Sequence, residues 1–478
     1  MFNDLREFIE TVEKLGECKL VEGADWDIEI GAISELAMKM PNVPLLIFDK
    51  IKGYDTGYRV ASNLFSTPRR TALALGLPTE ARGIELVKAL RDKMKAGIKL
   101  LPPVEVETGP VKENILTGTD VNLFKFPAPK WHELDGGRYI GTGGMGILRD
   151  PEGGWINVGT YRTQIHDKST VTMSMQPGHH AEMIRKKYWA KGLNCPVAIT
   201  CGQDPTLWAA SNFDGVPWGV SEYDFAGGLR GEPVRVTRGV TTDLPIPATA
   251  EIVLEGEIVP PEVETRDEGP FGEWCGYYAA GVRSMPAVKI KSILHRNNPI
   301  IQGNPPHRLP SIWSAGKHIQ KAAVVWSELD RQLPGVKGVW MIEEAGLHSI
   351  LVISIEQSYP GHAKAAALIG AGCSATNMNC RMVIVVDEDI DPSNLSEVFW
   401  ALGTRVDPET SIDIIRGCLS GASNPMLSPE AKRLGNYQMS RAIILACKPF
   451  LWRQDFPPSV EMSPELAKQT RDKWKELF

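Results

Sequence analysis

Hydrophobic patterning changes character twice along the chain, and that constrains the architecture more than any motif does. Residues 1–110 alternate helical and strand-like runs. Pro44-Leu45-Leu46-Ile47-Phe48 reads as a short buried strand, and 80–95 as a helix with charged faces. From 111 to 300 strand-like runs dominate, at 146–148, 155–165, 197–200, 251–258 and 288–294, parted by turns such as Pro151-Glu152-Gly153-Gly154. That stretch predicts a β-rich, barrel-like domain. Residues 311–331 carry a helical pattern, and 335–445 alternate again: strand 349–355, helix 362–369, strand 381–386 and helix 395–402. The last helix follows Asp391-Pro392-Ser393-Asn394, a good start signal, and the order argues α/β with crossovers. The expected division is an α/β unit over 1–115, a barrel-like unit over 116–310, a connecting helix over 311–334, an α/β unit over 335–447, and an arm with a final helix over 448–478. A length of 478 residues agrees with three domains at about 150 each.

The ends sharpen this reading. Phe2, Leu5, Phe8, Ile9 and Val12 follow helical spacing, so the chain begins with an amphipathic helix rather than a secretory leader. No run reaches the length of a membrane span. Residues 448–462 are rich in Pro and aromatics and read as an extended arm. Ser463-Pro464-Glu465 then opens a helix, with Ser as N-cap and Pro in the first turn. Its thin stripe of Leu466, Trp474 and Leu477 can dock on a partner subunit or on its own chain.

Composition removes several function classes. Fifty-two Lys and Arg against 58 Asp and Glu give a net charge of −6, which argues against general nucleic-acid binding but not against a local basic pocket. Eight cysteines without a C-x-x-C argue against a cysteine zinc site or thioredoxin-like redox chemistry, and fit a reducing cytoplasm. Gly (45) and Pro (35) are plentiful enough to imply many shaped loops. Gly141-Thr142-Gly143-Gly144-Met145-Gly146 formally matches the dinucleotide-binding spacing, but a Pro-Gly-Gly turn follows instead of a helix. Close backbone packing is the better reading. No P-loop and no nucleophile elbow occurs.

The most informative segment is Glu264-Thr265-Arg266-Asp267-Glu268-Gly269-Pro270-Phe271-Gly272-Glu273-Trp274-Cys275-Gly276-Tyr277-Tyr278. Glu268 and Glu273 flank a Gly-Pro-Phe-Gly turn that can aim both acids into one cleft, where each would push the other's pKa away and keep one as a proton donor. A solvated surface turn is the plain alternative, but four aromatics weigh against it. Arg162, in the strand-like run 155–165, can grip a carboxylate with two parallel hydrogen bonds. Asn157 lies five residues earlier, on the opposite face of a regular strand, so the two share a site only if Gly159 breaks the strand. Asn157, a histidine of His179-His180 and Glu222 make a mixed O/N set suited to Mn²⁺ or Mg²⁺ bridging a phosphate. Lys364 follows a Pro-Gly turn at a helix start, where a bound anion would relieve its conflict with the helix dipole.

Taken together, these segments resemble the UbiD-type family of aromatic acid decarboxylases, which use prenylated FMN. The resemblance spans nearly the whole chain and is strongest over 157–162, 221–233, 268–278, 295–299 and 359–364. It implies an N-terminal α/β domain, a central split-β-barrel flavin domain and a C-terminal α/β dimerisation domain with an extended tail helix. It implies Arg162, Glu268 and Glu273 as the catalytic triad, with Arg162 orienting the carboxylate and Glu273 donating the proton. It implies Asn157, His180 and Glu222 as ligands of Mn²⁺ (or Mg²⁺) on the cofactor phosphate. Thr160, Tyr161, Arg162 and His179 would stand beside the flavin, Lys364 on its phosphate, and K⁺ or Na⁺ near Ala210 and Ser211. The expected activity is reversible, non-oxidative decarboxylation of a small aromatic or heteroaromatic acid, releasing CO₂, in a cytoplasmic homo-oligomer that depends on a flavin prenyltransferase. A flavin-dependent oxidoreductase, a metal-dependent hydrolase and a non-catalytic flavin-binding protein are the alternatives. The chain departs from the hydroxybenzoate-decarboxylase branch at Gln302-Gly303-Asn304-Pro305-Pro306-His307 and in a shortened stretch over 417–425, which leaves the acid open more than the reaction.

Overall fold

A computed structural model describes residues 2–176, 178–308, 316–346 and 348–477. The chain opens with the expected amphipathic helix, Leu5–Lys14, capped by the Asp4 side chain and burying Leu5, Phe8, Ile9 and Val12. Its neighbours are a four-stranded sheet in the order Cys18–Glu22, Leu45–Asp49, Arg59–Ser62, Ile300–Gln302. The last of these strands runs parallel to Arg59–Ser62, although it arrives from far down the chain. It lies inside the stretch expected to be barrel, and it ties the first unit to the second.

The central unit is a ten-stranded sheet curled into a half barrel, and every pairing in it is antiparallel. Its spine is the long strand Arg283–His295, which pairs with Thr170–Met173, Ile252–Ile258, Thr265–Glu268 and Asn114–Thr117. The expected cut at 115 falls within that last strand. The run 155–165 is two strands, Ile156–Gly159 and Thr163–Ile165, parted by Thr160-Tyr161-Arg162. The cause is local. A Cβ on Gly159 would stand 2.5 Å from the Tyr161 hydroxyl, and one on Gly146 would stand 3.0 Å from the same ring, so two glycines make the space in which Tyr161 folds back. The glycine-rich run 141–146 packs as its sequence suggests: a Cβ on Gly143 would be 2.8 Å from the Gln302 carbonyl, and one on Gly144 2.5 Å from that of Thr200.

The third unit is a five-stranded sheet in the order Val336–Met341, Ile350–Ile355, Met382–Asp387, Gln438–Ala446, Ile412–Leu419. Its three middle strands are parallel, and the helices His362–Gly372 and Leu395–Arg405 lie in the connections. Both helices start where the sequence predicts, the second with Asn394 as its side-chain cap. The helix Lys317–Gln332 joins this unit to the rest; residues 311–315 of the expected connecting helix lie outside the described residues. It packs on the helix Gly83–Lys95, where the Arg91 guanidinium lies 4.5 Å from the Trp326 ring centre. The last helix, Pro464–Lys473, is capped by Ser463 and buries none of its residues; Leu466, Trp474 and Leu477 stay exposed. All eight cysteines are free, and no helix among the described residues is long and apolar enough to cross a membrane.

Candidate active site

The break after Gly159 is what assembles the site. Leaving the strand lets Arg162 face one chamber and Asn157 the chamber that adjoins it, despite their five-residue spacing. Arg162 meets the acid loop that follows the strand Thr265–Glu268. Its Nε donates to Glu268 Oε1 at 2.6 Å and its Nη2 to Oε2 at 2.9 Å, while Nη1 donates to Glu273 Oε1 at 3.0 Å. Glu268 is fully buried and Glu273 nearly so. The Phe271 ring lies beneath the guanidinium, 5.1 Å from centre to carbon. Burial alone would raise the Glu268 carboxyl, but the Arg162 guanidinium and, more weakly, Arg283 hold it below the usual carboxylate range. The same pairing wins over burial at Arg162 and raises its pKa. The expected mutual repulsion of two acids is therefore not what governs Glu268: an arginine sits between the carboxylates. Tyr139 completes the support. Its hydroxyl donates to Gln164 Oε1 at 3.1 Å, and that oxygen also accepts the Gly269 N–H at 2.9 Å, fixing the loop's first turn.

This cluster faces a small chamber of about 130 Å³, which continues into a cavity of about 400 Å³ through the shared walls Thr160, Tyr161, Gln176, His179, Asn212 and Trp274. Asn157, His180 and Glu222 all line the larger cavity. Glu222 heads the helix Glu222–Arg230, and its carboxylate accepts from the Asn157 amide at 2.9 Å and the Val158 N–H at 2.7 Å. Even so, burial pushes it up to about 7, which marks a carboxylate short of positive charge. Burial also lowers the His180 pKa, which favours the neutral imidazole a metal requires. A divalent cation fits this donor set. At the far wall Lys317 and Lys321 approach Asp214 Oδ2 at 3.1 and 3.0 Å, so two ammonium groups share one carboxylate and leave an excess positive charge for an anion. Burial pushes Lys317 down to about 8 despite Asp214.

The structure thus brings Arg162, Glu268 and Glu273 into contact, and gathers Asn157, Thr160, Tyr161, His179, His180 and Glu222 around the adjoining cavity. Ser211 lines the same cavity at the end of the helix Pro205–Ser211, with Ala210 buried behind it. Lys364 is not brought there. Its ammonium pairs with Asp413 on the third unit, and the lysines that reach the cavity are Lys317 and Lys321. Sequence reading missed both because they look like surface residues of an amphipathic helix, and their burial depends on a neighbouring domain. It also missed Asp214 and His348. The shortened stretch does reach the site: Trp274 Nε1 donates to Ser423 Oγ at 2.9 Å, and Ser423 lines the larger cavity.

Three family models cover the chain in order: the N-terminal, Rift-related and C-terminal domains of 3-octaprenyl-4-hydroxybenzoate carboxy-lyase (UbiD), over residues 9–90, 103–308 and 316–446. The chain belongs to the UbiD family. It is 34% identical over 432 residues to a phenolic acid decarboxylase of Bacillus subtilis, covering 87% of each chain. Among solved structures it is similar to the closed form of vanillic acid decarboxylase from Sedimentibacter hydroxybenzoicus, with a TM-score of 0.84, 30% identity, and coverage of 100% and 99% of the two chains. It also resembles an evolved dimeric form of the UbiD-class enzyme HmfF from Pelotomaculum thermopropionicum in complex with prFMN, with a TM-score of 0.81, 27% identity and 98% coverage of both chains. In keeping with those family models and with its decarboxylase relatives, the chain is a carboxy-lyase. The paired chambers, the cationic far wall and the Asn/His/Glu set suit a phosphorylated flavin held through a divalent metal.

Proposed function

We propose that this UbiD-family enzyme reversibly decarboxylates an aromatic or heteroaromatic acid with prenylated FMN. When bound, that cofactor supplies a sink for the electron pair freed by loss of CO₂. The observation that carries this reading is the division of Arg162 between two buried carboxylates at the mouth of the small chamber. Glu268 takes two of its nitrogens and fixes the plane of the guanidinium, so the remaining edge can receive the substrate carboxylate in one orientation. Glu273 pairs with Arg162 as a carboxylate until the substrate carboxylate displaces it from that edge; it then takes up a proton from solvent and gives it to the ring carbon once CO₂ has left, the reverse holding for carboxylation. Phe271, Trp274 and Pro306 line the chamber and keep water from the reacting carbon.

In this reading Asn157, His180 and Glu222 hold Mn²⁺ or Mg²⁺, and K⁺ or Na⁺ sits at the backbone near Ala210 and Ser211. Thr160, Tyr161 and His179 flank the flavin. Lys317 and Lys321 would hold its anionic group, and Lys364, paired with Asp413, would not. The exposed stripe of the last helix supports a homo-oligomer in which the tail rests on a second copy. A flavin prenyltransferase supplies the cofactor.

The test is to produce the protein beside a flavin prenyltransferase and screen phenolic, indole- and pyrrole-carboxylic acids for CO₂ release in D₂O. At least one acid should yield CO₂ and a product carrying deuterium at the vacated carbon. Bound prenylated flavin with no release from any acid would sink the proposal.

A further inference from the structure

A second cluster of metal-ligating side chains lies outside both chambers. Glu35, His132 and His307 come from three distant parts of the sequence, yet one ligand atom from each lies within 4.8 Å of the others. Glu35 stands on the helix Glu29–Met38 of the first unit. His132 follows the buried Trp131, and His307 ends the segment that leaves the strand Ile300–Gln302. The two imidazoles approach at 2.9 Å, His132 Nε2 to His307 Nδ1. His307 is buried against His132. Lys39 holds one oxygen of Glu35, Oε1 at 2.8 Å, and a cation entering the cluster would take the other.

Behind the cluster stands a carboxylate close to the His132 ring but not hydrogen-bonded to its Nδ1. Asp135 is buried, and its Oδ2 accepts the His132 backbone N–H at 3.0 Å while lying 3.5 Å from Nδ1 of the same ring. A carboxylate on that side favours the Nδ1–H tautomer and turns the Nε2 lone pair toward His307 and Glu35. The other Asp135 oxygen accepts the Tyr278 hydroxyl at 3.1 Å, so the support is tied to the acid loop itself.

We infer that Glu35, His132 and His307 bind a divalent first-row transition metal, with Zn²⁺ the best-suited ion, clipping the N-terminal unit to the central one beside the acid loop. Two imidazoles and one carboxylate are a three-ligand set that Zn²⁺ accepts in tetrahedral geometry with water in fourth place. Binding replaces the direct contact between the rings: the proton shared between His132 and His307 moves to the far nitrogen of His307 as the metal enters. No redox change is involved.

The experiment uses full-length protein, stripped with EDTA and titrated with Zn²⁺ and, separately, with Co²⁺ as a spectroscopic probe. Wild type should bind one more equivalent of Zn²⁺ than Glu35→Gln or His132→Asn, melt at a higher temperature with Zn²⁺, and show the visible bands of four-coordinate Co²⁺. Asp135→Asn should weaken Zn²⁺ binding about 10–100-fold, the effect of losing a carboxylate behind a ligand histidine. Glu222→Gln, which alters the other donor set, should keep the bands. Equal Zn²⁺ uptake by wild type and Glu35→Gln, or Co²⁺ bands lost in Glu222→Gln but kept in Glu35→Gln, would overturn the assignment. Glu35→Gln, on a half-buried helix position, keeps the helix intact and guards against reading misfolding as lost binding.

Discussion

The two chambers are built on different plans. The small one is organised by the central unit alone: Arg162, Glu268 and Glu273 come from one curled sheet and its loop, and every charge in the cluster has a partner within hydrogen-bond distance. The large one lies between units. Asn157 and Glu222 belong to the central unit, whereas Lys317, Lys321, His348 and Ser423 come from the connecting helix and the third unit. The residues proposed to act on the substrate come from one curled sheet and the loops that leave it, and those proposed to hold charge are contributed from both sides of a seam.

Four experiments can break that contrast. Glu273→Gln should lower decarboxylation about 10²–10⁴-fold with an unchanged melting temperature, since it removes the proposed proton donor and leaves the fold alone. Turnover close to wild type would end its proposed role. Arg162→Met should leave two buried carboxylates facing each other and destabilise the central unit by about 3–5 kcal/mol, read from denaturant midpoints. Lys321→Met, at the seam, should cost far less stability, and an equal loss would erase the distinction between the chambers. Glu222→Gln should weaken Mn²⁺ binding about 10–100-fold while leaving the Arg162 cluster intact, measured by metal titration of the stripped protein.

The smallest effect is in pH dependence, where the two chambers should respond at opposite ends. Glu268 has a folded pKa below its unfolded one, so its contribution is complete above the unfolded value near 4.5 and fades as pH falls through the folded value. Lys317 has a folded pKa of about 8 against an ordinary 10.5, so the unfolded chain binds more protons between these values and stability gains as pH rises through that window. Lys317→Met should remove the alkaline gain and keep the acid loss, as thermal unfolding across pH would report.

Much of the fold was legible because hydrophobic period is local. The helices beginning at His362 and Leu395 and the strands around Val197 and Ile252 stand where their patterns place them, within a few residues. The acid loop was legible for a related reason: a Gly-Pro-Phe-Gly turn between two glutamates leaves few ways to arrange them. What escaped depends on contacts between distant segments. The strand 155–165 looks continuous because nothing near it in sequence reveals that the Tyr161 ring occupies the space above Gly146 and Gly159. Lys317 and Lys321 read as solvent-facing until a loop carrying Asp214 covers them. Glu35, His132 and His307 have no ligand spacing at all, because the fold alone makes them neighbours.

The parallel strand Ile300–Gln302 also sets a clock on biogenesis. The first sheet cannot acquire its last strand until the ribosome has added about 240 residues beyond Ser62. At about 5–20 residues per second that is a wait of roughly 10–50 s, during which the Arg59–Ser62 edge is an open template for any strand that meets it. A nascent chain arrested before residue 300 should therefore display that edge to chaperones, and one released just past 302 should not.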